Sequence, residues 1–204
     1  MSIFLLFLWG SIFQTQAQNI SKLDKQQSFK NIRMGDSIQK HRFFFEYEGK
    51  ANDGYDVYGL IMSDSLPFVI PADSLNKTPT DTLISNPYLH IGYIQVRKMI
   101  LLVYKELIYE IIITLDVTHF ADIKDVLIKA YGEPNELPCE EIESEEGKRT
   151  DCLWKGKVMA LWCRMMDYGK EQQKTLVGFK NYNAVSKIKK EMQKNAVKDL
   201  LGEN

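Results

Sequence analysis

The sequence predicts an α+β fold, with antiparallel sheet shielded by helices on one face. Three observations carry this reading. Residues 107–115 place Leu107, Tyr109, Ile111, Ile113 and Leu115 on alternate positions, the period-two mark of a strand buried on one side. In HFADIKDVLIKAYGEP, Phe120, Ile123, Val126, Leu127 and Ala130 recur at helical spacing, and Gly132 and Pro134 then stop the helix. After that, CLWKG, VMALWCRMMDY and TLVGFKNY are joined by short turns at Gly156 and Gly169, as in an antiparallel meander. The order helix, three strands, helix, three strands, helix predicts a tandem α-β-β-β repeat with a C-terminal helix. Its units are 31–116 and 117–204, within a single domain 31–204.

In chain order, MSIFLLFLWGSIFQTQAQ comes first. The apolar run from Ile3 to Phe13, followed by polar residues and Ala17, reads as a signal peptide over 1–17, cleaved after Ala17. The run is shorter than the ~20 apolar residues a bilayer span needs. No Cys follows it to take a lipid, and no transmembrane helix is expected in the mature chain. Residues 18–30 are polar and read as a flexible lead-in. In NIRMGDSIQKHRFFFEY, Asp36 or Ser37 can cap a helix, since a side-chain oxygen accepts from the first-turn amides. YDVYGLIM reads as a strand, and SDSLPFVIPADSLNKTPTDTLIS, residues 63–85, as a long loop of turn-forming residues.

Two strands are expected between Leu89 and Asp116. The first is apolar on both parities, as a central or bulged strand is, and its Lys105-Glu106 connection lacks the Gly or Asn of a tight hairpin. Gly132 follows a helix, so it marks no phosphate loop, because anions prefer helix N-termini. The stretch from Glu136 to Glu146 holds glutamates at 136, 140, 141, 143, 145 and 146. Lacking the central Gly of a calcium loop, it reads as a solvated acidic loop. The final helix sets Val185, Ile188, Met192 and Leu200 on one side and lysines on the other, a pattern that sheet packing requires.

The formal net charge is −1, and residues 1–17 contain no charged side chain, so a broad electrostatic footprint for nucleic acid is not expected. Of the three cysteines, Cys139 and Cys152 are expected to bridge, a closure worth about 3 kcal/mol. Cys163 alternates with Met159, Leu161 and Met165 and reads as a core thiol. His41, His90 and His119 lie in different elements without metal-ligand spacing, and no nucleophile elbow, dinucleotide fingerprint or phosphate loop appears. No catalytic, cofactor or metal residue is therefore assigned. Trp154 and Trp162 lie on strands, where the ordinary role is core and the alternative an exposed recognition patch.

Asp followed by Ser or Thr and an apolar residue occurs at Asp36-Ser37-Ile38, Asp64-Ser65-Leu66, Asp73-Ser74-Leu75 and Asp81-Thr82-Leu83. The triplet resembles the O-glycosylation sequon that some Gram-negative bacteria use on exported proteins. Turns and caps use the same residues, and Ser37 reads as a cap; Ser65, Ser74 and Thr82 are the candidate acceptors. Ile32-Arg33-Met34-Gly35-Asp36-Ser37 and Tyr131-Gly132-Glu133-Pro134 resemble the Ile-x-x-Gly-Met-Ser and Leu-Gly-x-Pro marks of small bacterial envelope proteins. These are the outer-membrane assembly lipoproteins of the SmpA/OmlA type and the related β-lactamase-inhibitor-like fold. The resemblance implies a non-enzymatic binding module in the periplasm. The expectation is thus an exported envelope protein that binds an unknown protein or envelope ligand. The alternative is a periplasmic hydrolase whose site forms only in the fold, for example His90 or His119 with a carboxylate.

Overall fold

The computed structural model describes residues 20–51, 54–70, 80–144, 147–169 and 173–201. A helix α1 over 20–26 leads into β1 (Ser28–Phe29) and β2 (Ile32–Arg33), followed by a 3-10 turn at Ile38–Lys40. Then come β3 (Phe45–Lys50), β4 (Asp56–Leu60), β5 (Ser65–Ile70), β6 (Thr80–Ser85), β7 (His90–Ile91) and β8 (Ile94–Gln95). The hairpin β9 (Lys98–Tyr104) and β10 (Leu107–Leu115) precedes a 3-10 turn and helix α2 (Phe120–Tyr131). The chain closes with β11 (Leu137–Ser144), β12 (Gly147–Lys155), β13 (Met159–Asp167), β14 (Gln173–Asn181) and helix α3 (Tyr182–Leu201). Among the described residues no helix is long and apolar enough to cross a membrane.

Eight strands form one antiparallel sheet in the order β11-β12-β13-β14-β10-β9-β4-β3. The fold is α+β, as expected. Each half of the chain supplies four strands where three are expected: β3, β4, β9 and β10, then β11 to β14. Each half runs from an edge to the centre, where β10 and β14 pair from Glu110↔Lys180 to Leu115↔Thr175.

The alternation expected in β9 and β10 holds from Met99 to Val103 and from Ile111 to Leu115, but a bulge between Ile108 and Glu110 breaks it before that: Ile108 takes the core side, Tyr109 packs with α3 on the opposite side and Leu107 is 50 % exposed. Met99, Leu101, Val103, Ile111, Ile113 and Leu115 are all at most 1 % exposed and form the centre of the core. Helix α2 packs on this face through Ile123, Leu127 and Tyr131, spaced four apart. Val126 is 56 % exposed instead, because it sits roughly 100° around the helix from the middle of that stripe. Gly132 ends α2 with φ 80 and donates its N–H to Ile128 O at 2.7 Å. Trp154, fully buried, donates its indole N–H to Gly132 O at 2.7 Å, so it is a core residue that also satisfies a helix end.

Several expectations are corrected. Residues 20–30, expected as a flexible lead-in, form α1 and β1 and pack on the core through Leu23. The Asp24 carboxylate accepts from the backbone N–H groups of Lys157, Val158 and Met159 at 2.7, 2.9 and 3.0 Å. These contacts join positions more than a hundred residues apart, so no local pattern announces them. The helix expected after Asp36 is a single 3-10 turn, capped by Ser37, which accepts from Gln39 N. The expected long loop over 63–85 contains the paired strands β5 and β6, in register from Ser65↔Ser85 to Ile70↔Thr80. Turn-forming residues there hide two segments rich in β-branched and aromatic residues. The acidic loop is likewise largely strand: Glu140, Glu141 and Glu143 lie on β11, at the sheet edge. Charge on an edge strand opposes edge-to-edge pairing. Finally, the helices do not share one face, since α3 packs opposite α1 and α2.

Candidate interaction face

The side of the sheet opposite α2 carries a second set of alternate residues. Ile100, Ile112, Gly178, Trp162, Leu153 and Leu137 are consecutive register partners, so they make one row across six strands. The row is apolar except for the gap at Gly178. A Cβ built there would lie 2.0 Å from Trp162 Cε2, so the glycine is the slot over which the indole lies. A glycine inside a strand signals such a close approach, and the stretch TLVGFKNY offers that signal.

Trp162 is half-buried, with the Arg164 guanidinium 5.7 Å from its ring centroid. Arg164 Nε donates to Asp151 Oδ1, and Arg149 Nε lies 2.9 Å from Oδ2 at an angle that makes an ion pair and no hydrogen bond. Two guanidiniums on one carboxylate leave a positive charge beside the indole. A depression of about 230 Å³ is lined by Leu137, Asp151, Cys152, Leu153, Trp162 and Arg164, the size of one inserted side chain. Lys180 and the buried Glu110 pair at 2.9 Å next to the row.

Helix α3 covers one end of this face, where Val185 and Ile188 pack on Tyr55 and Tyr109. Lys105, at the β9–β10 turn, pairs with Glu191 of α3, and this contact pushes the lysine pKa up. Between that turn and α3 lies a second cleft of about 380 Å³.

The sequence-assigned residues fall elsewhere. Cys139 and Cys152 are brought to disulfide distance, with Cα atoms 4.0 Å apart, tying edge strand β11 to β12. Cys163, the register partner of Cys152, is a buried free thiol that burial pushes up to about 12. Ser65 and Thr82 lie on β5 and β6, and Ser74 lies outside the described residues.

His41 is 7 % exposed, and burial pushes its imidazole pKa down against the opposing pull of Asp36, 3.8 Å away. His90 is exposed on β7. His119 Nδ1 lies 3.8 Å from Asp122, to which the Tyr93 hydroxyl donates at 2.7 Å; this group is open to solvent, with Tyr93 76 % exposed. None of the three histidines lines either cleft. Among the described residues, no three His, Cys, Asp or Glu side chains come together as a metal site. No protein-family model, curated protein or solved structure matches the chain.

Proposed function

We propose that this protein is an exported, non-enzymatic binding module that docks a protein partner of the cell envelope on the open face of its sheet. The observation that carries this reading is Trp162 laid across Gly178 in an apolar row, with Arg164 stacked on it and a depression beside it. Tryptophan and arginine are enriched at binding hot spots, tryptophan because it gives a large contact area for little lost side-chain freedom and arginine because its planar guanidinium both stacks and donates several hydrogen bonds. The apolar leader over 1–17 and the resemblance to small envelope proteins supply the compartment. The edge-to-centre strand order of the two halves supports a duplicated unit, each copy contributing four strands to the sheet.

The test is capture from envelope extract with the wild type, Trp162→Ala and Arg164→Glu, with unfolding curves confirming that each variant is folded. Loss of a hot-spot tryptophan costs about 2 kcal/mol or more, a roughly thirtyfold drop in affinity. A partner retained equally by all three proteins would remove this face from the argument.

A further inference from the structure

We infer that the cleft between α3 and the β9–β10 turn is a binding site for a small alkyl carboxylate, separate from the docking face. The cleft of about 380 Å³ fits the small-molecule range and is too small for a helix or strand of another protein. Its walls are apolar: Leu107, Ile108 and Tyr109 from β10, Ala184 and Ile188 from α3, and Val158 from the β12–β13 turn. Leu107 stands 50 % exposed at this wall, an apolar side chain with surface left to cover. The rim carries Lys105, Lys187 and Glu191, two cations against one anion.

The turn that holds Lys105 gives the second, independent observation. Lys105 and Glu106 have φ of 48 and 66, both in the left-handed region. A two-residue hairpin with that geometry favours Asn-Gly, and each ordinary side chain there costs roughly 1–2 kcal/mol. Strain of this kind persists at ligand clamps. Here it places the Lys105 ammonium at the cleft rim, where Glu191 engages it.

An alkyl acid satisfies both features. Its chain of about ten carbons or fewer lies along Leu107 and Ile188, and its carboxylate takes the Lys105 ammonium from Glu191 with Lys187 alongside. A cationic amphiphile meets the two ammoniums instead.

The experiment is an amide NMR titration of the full chain with decanoate, decanol, decylamine and decyl phosphate. Decanoate is expected to give saturable shifts at Leu107, Tyr109, Ala184 and Ile188, with decanol weaker and decylamine silent. Lys105→Gln and Lys187→Gln should each weaken decanoate by about threefold to fivefold, as exposed ion pairs do. Glu191→Gln, which frees Lys105, should tighten it by about threefold. Equal binding of all four probes, tighter decyl phosphate, no saturable shift at these residues, or a Glu191→Gln variant that binds as the wild type does would each overturn the proposal. Because none of these residues is Trp162 or Arg164, failure here leaves the docking reading standing, and the reverse also holds.

Discussion

Gly178 and Trp162 are one structural unit written as two residues. The indole occupies the space a Cβ would need, so Gly178→Ala must move either the ring or β14. The expected cost is about 1–3 kcal/mol, as for other overpacked sites, with a shifted tryptophan emission. In a Trp162→Ala background the clash is gone and the cost should vanish. Urea unfolding of the four proteins measures this, and equal costs in both backgrounds would contradict the contact. Asp24 is the other residue whose role is set by distant backbone. Burial raises its pKa, but the three amide hydrogen bonds and Lys157 together bring it below the ordinary 3.8. A depressed carboxyl pKa stabilises the fold above the unfolded value, and that contribution is lost as pH falls through the folded value. Asp24→Asn should therefore lower stability at neutral pH by about 1–2 kcal/mol, with the gap to wild type closing as the pH falls below the folded value. A gap that persists in acid would mean the carboxylate charge is not what matters.

At the scale of elements, edge strand β11 shows how local composition and tertiary context can disagree. Six glutamates in eleven residues favour solvent, yet pairing with β12 gives the backbone of β11 its hydrogen bonds while Glu136, Glu140, Glu141 and Glu143 stay exposed, three of them paired with Lys148 or Lys155. The Cys139–Cys152 link holds this strand where its bulge interrupts the register between Leu137 and Glu140. Reduction should cost about 3 kcal/mol, and hydrogen exchange should accelerate first over 137–144. Cys163 should stay unlabelled by iodoacetamide until the protein unfolds, since burial keeps its thiol protonated. Uniform acceleration across the sheet would show that the link supports more than its own edge. Helix α2, by contrast, was legible to the residue at its end, because Gly132 and Pro134 act locally.

On the scale of the whole molecule, export and modification share one measurement. Protein recovered from its native exporter should have the intact mass of a chain beginning at Gln18, raised by sugar if Ser65, Ser74 or Thr82 is modified. The bare mass from Gln18 removes the modification reading, and a mass that includes Met1 removes the leader cleavage. The sequence by itself determined the α+β class, the core strands, α2 and the cysteine pair, because hydrophobic period, helix stops and spacing are local. Tertiary structure alone decided the eight-stranded order, the place of α1, the split of helices between two faces and the Trp162 platform. Those depend on which backbone amides, glycines and strand edges meet across the fold, and such meetings are set by pairing between distant segments.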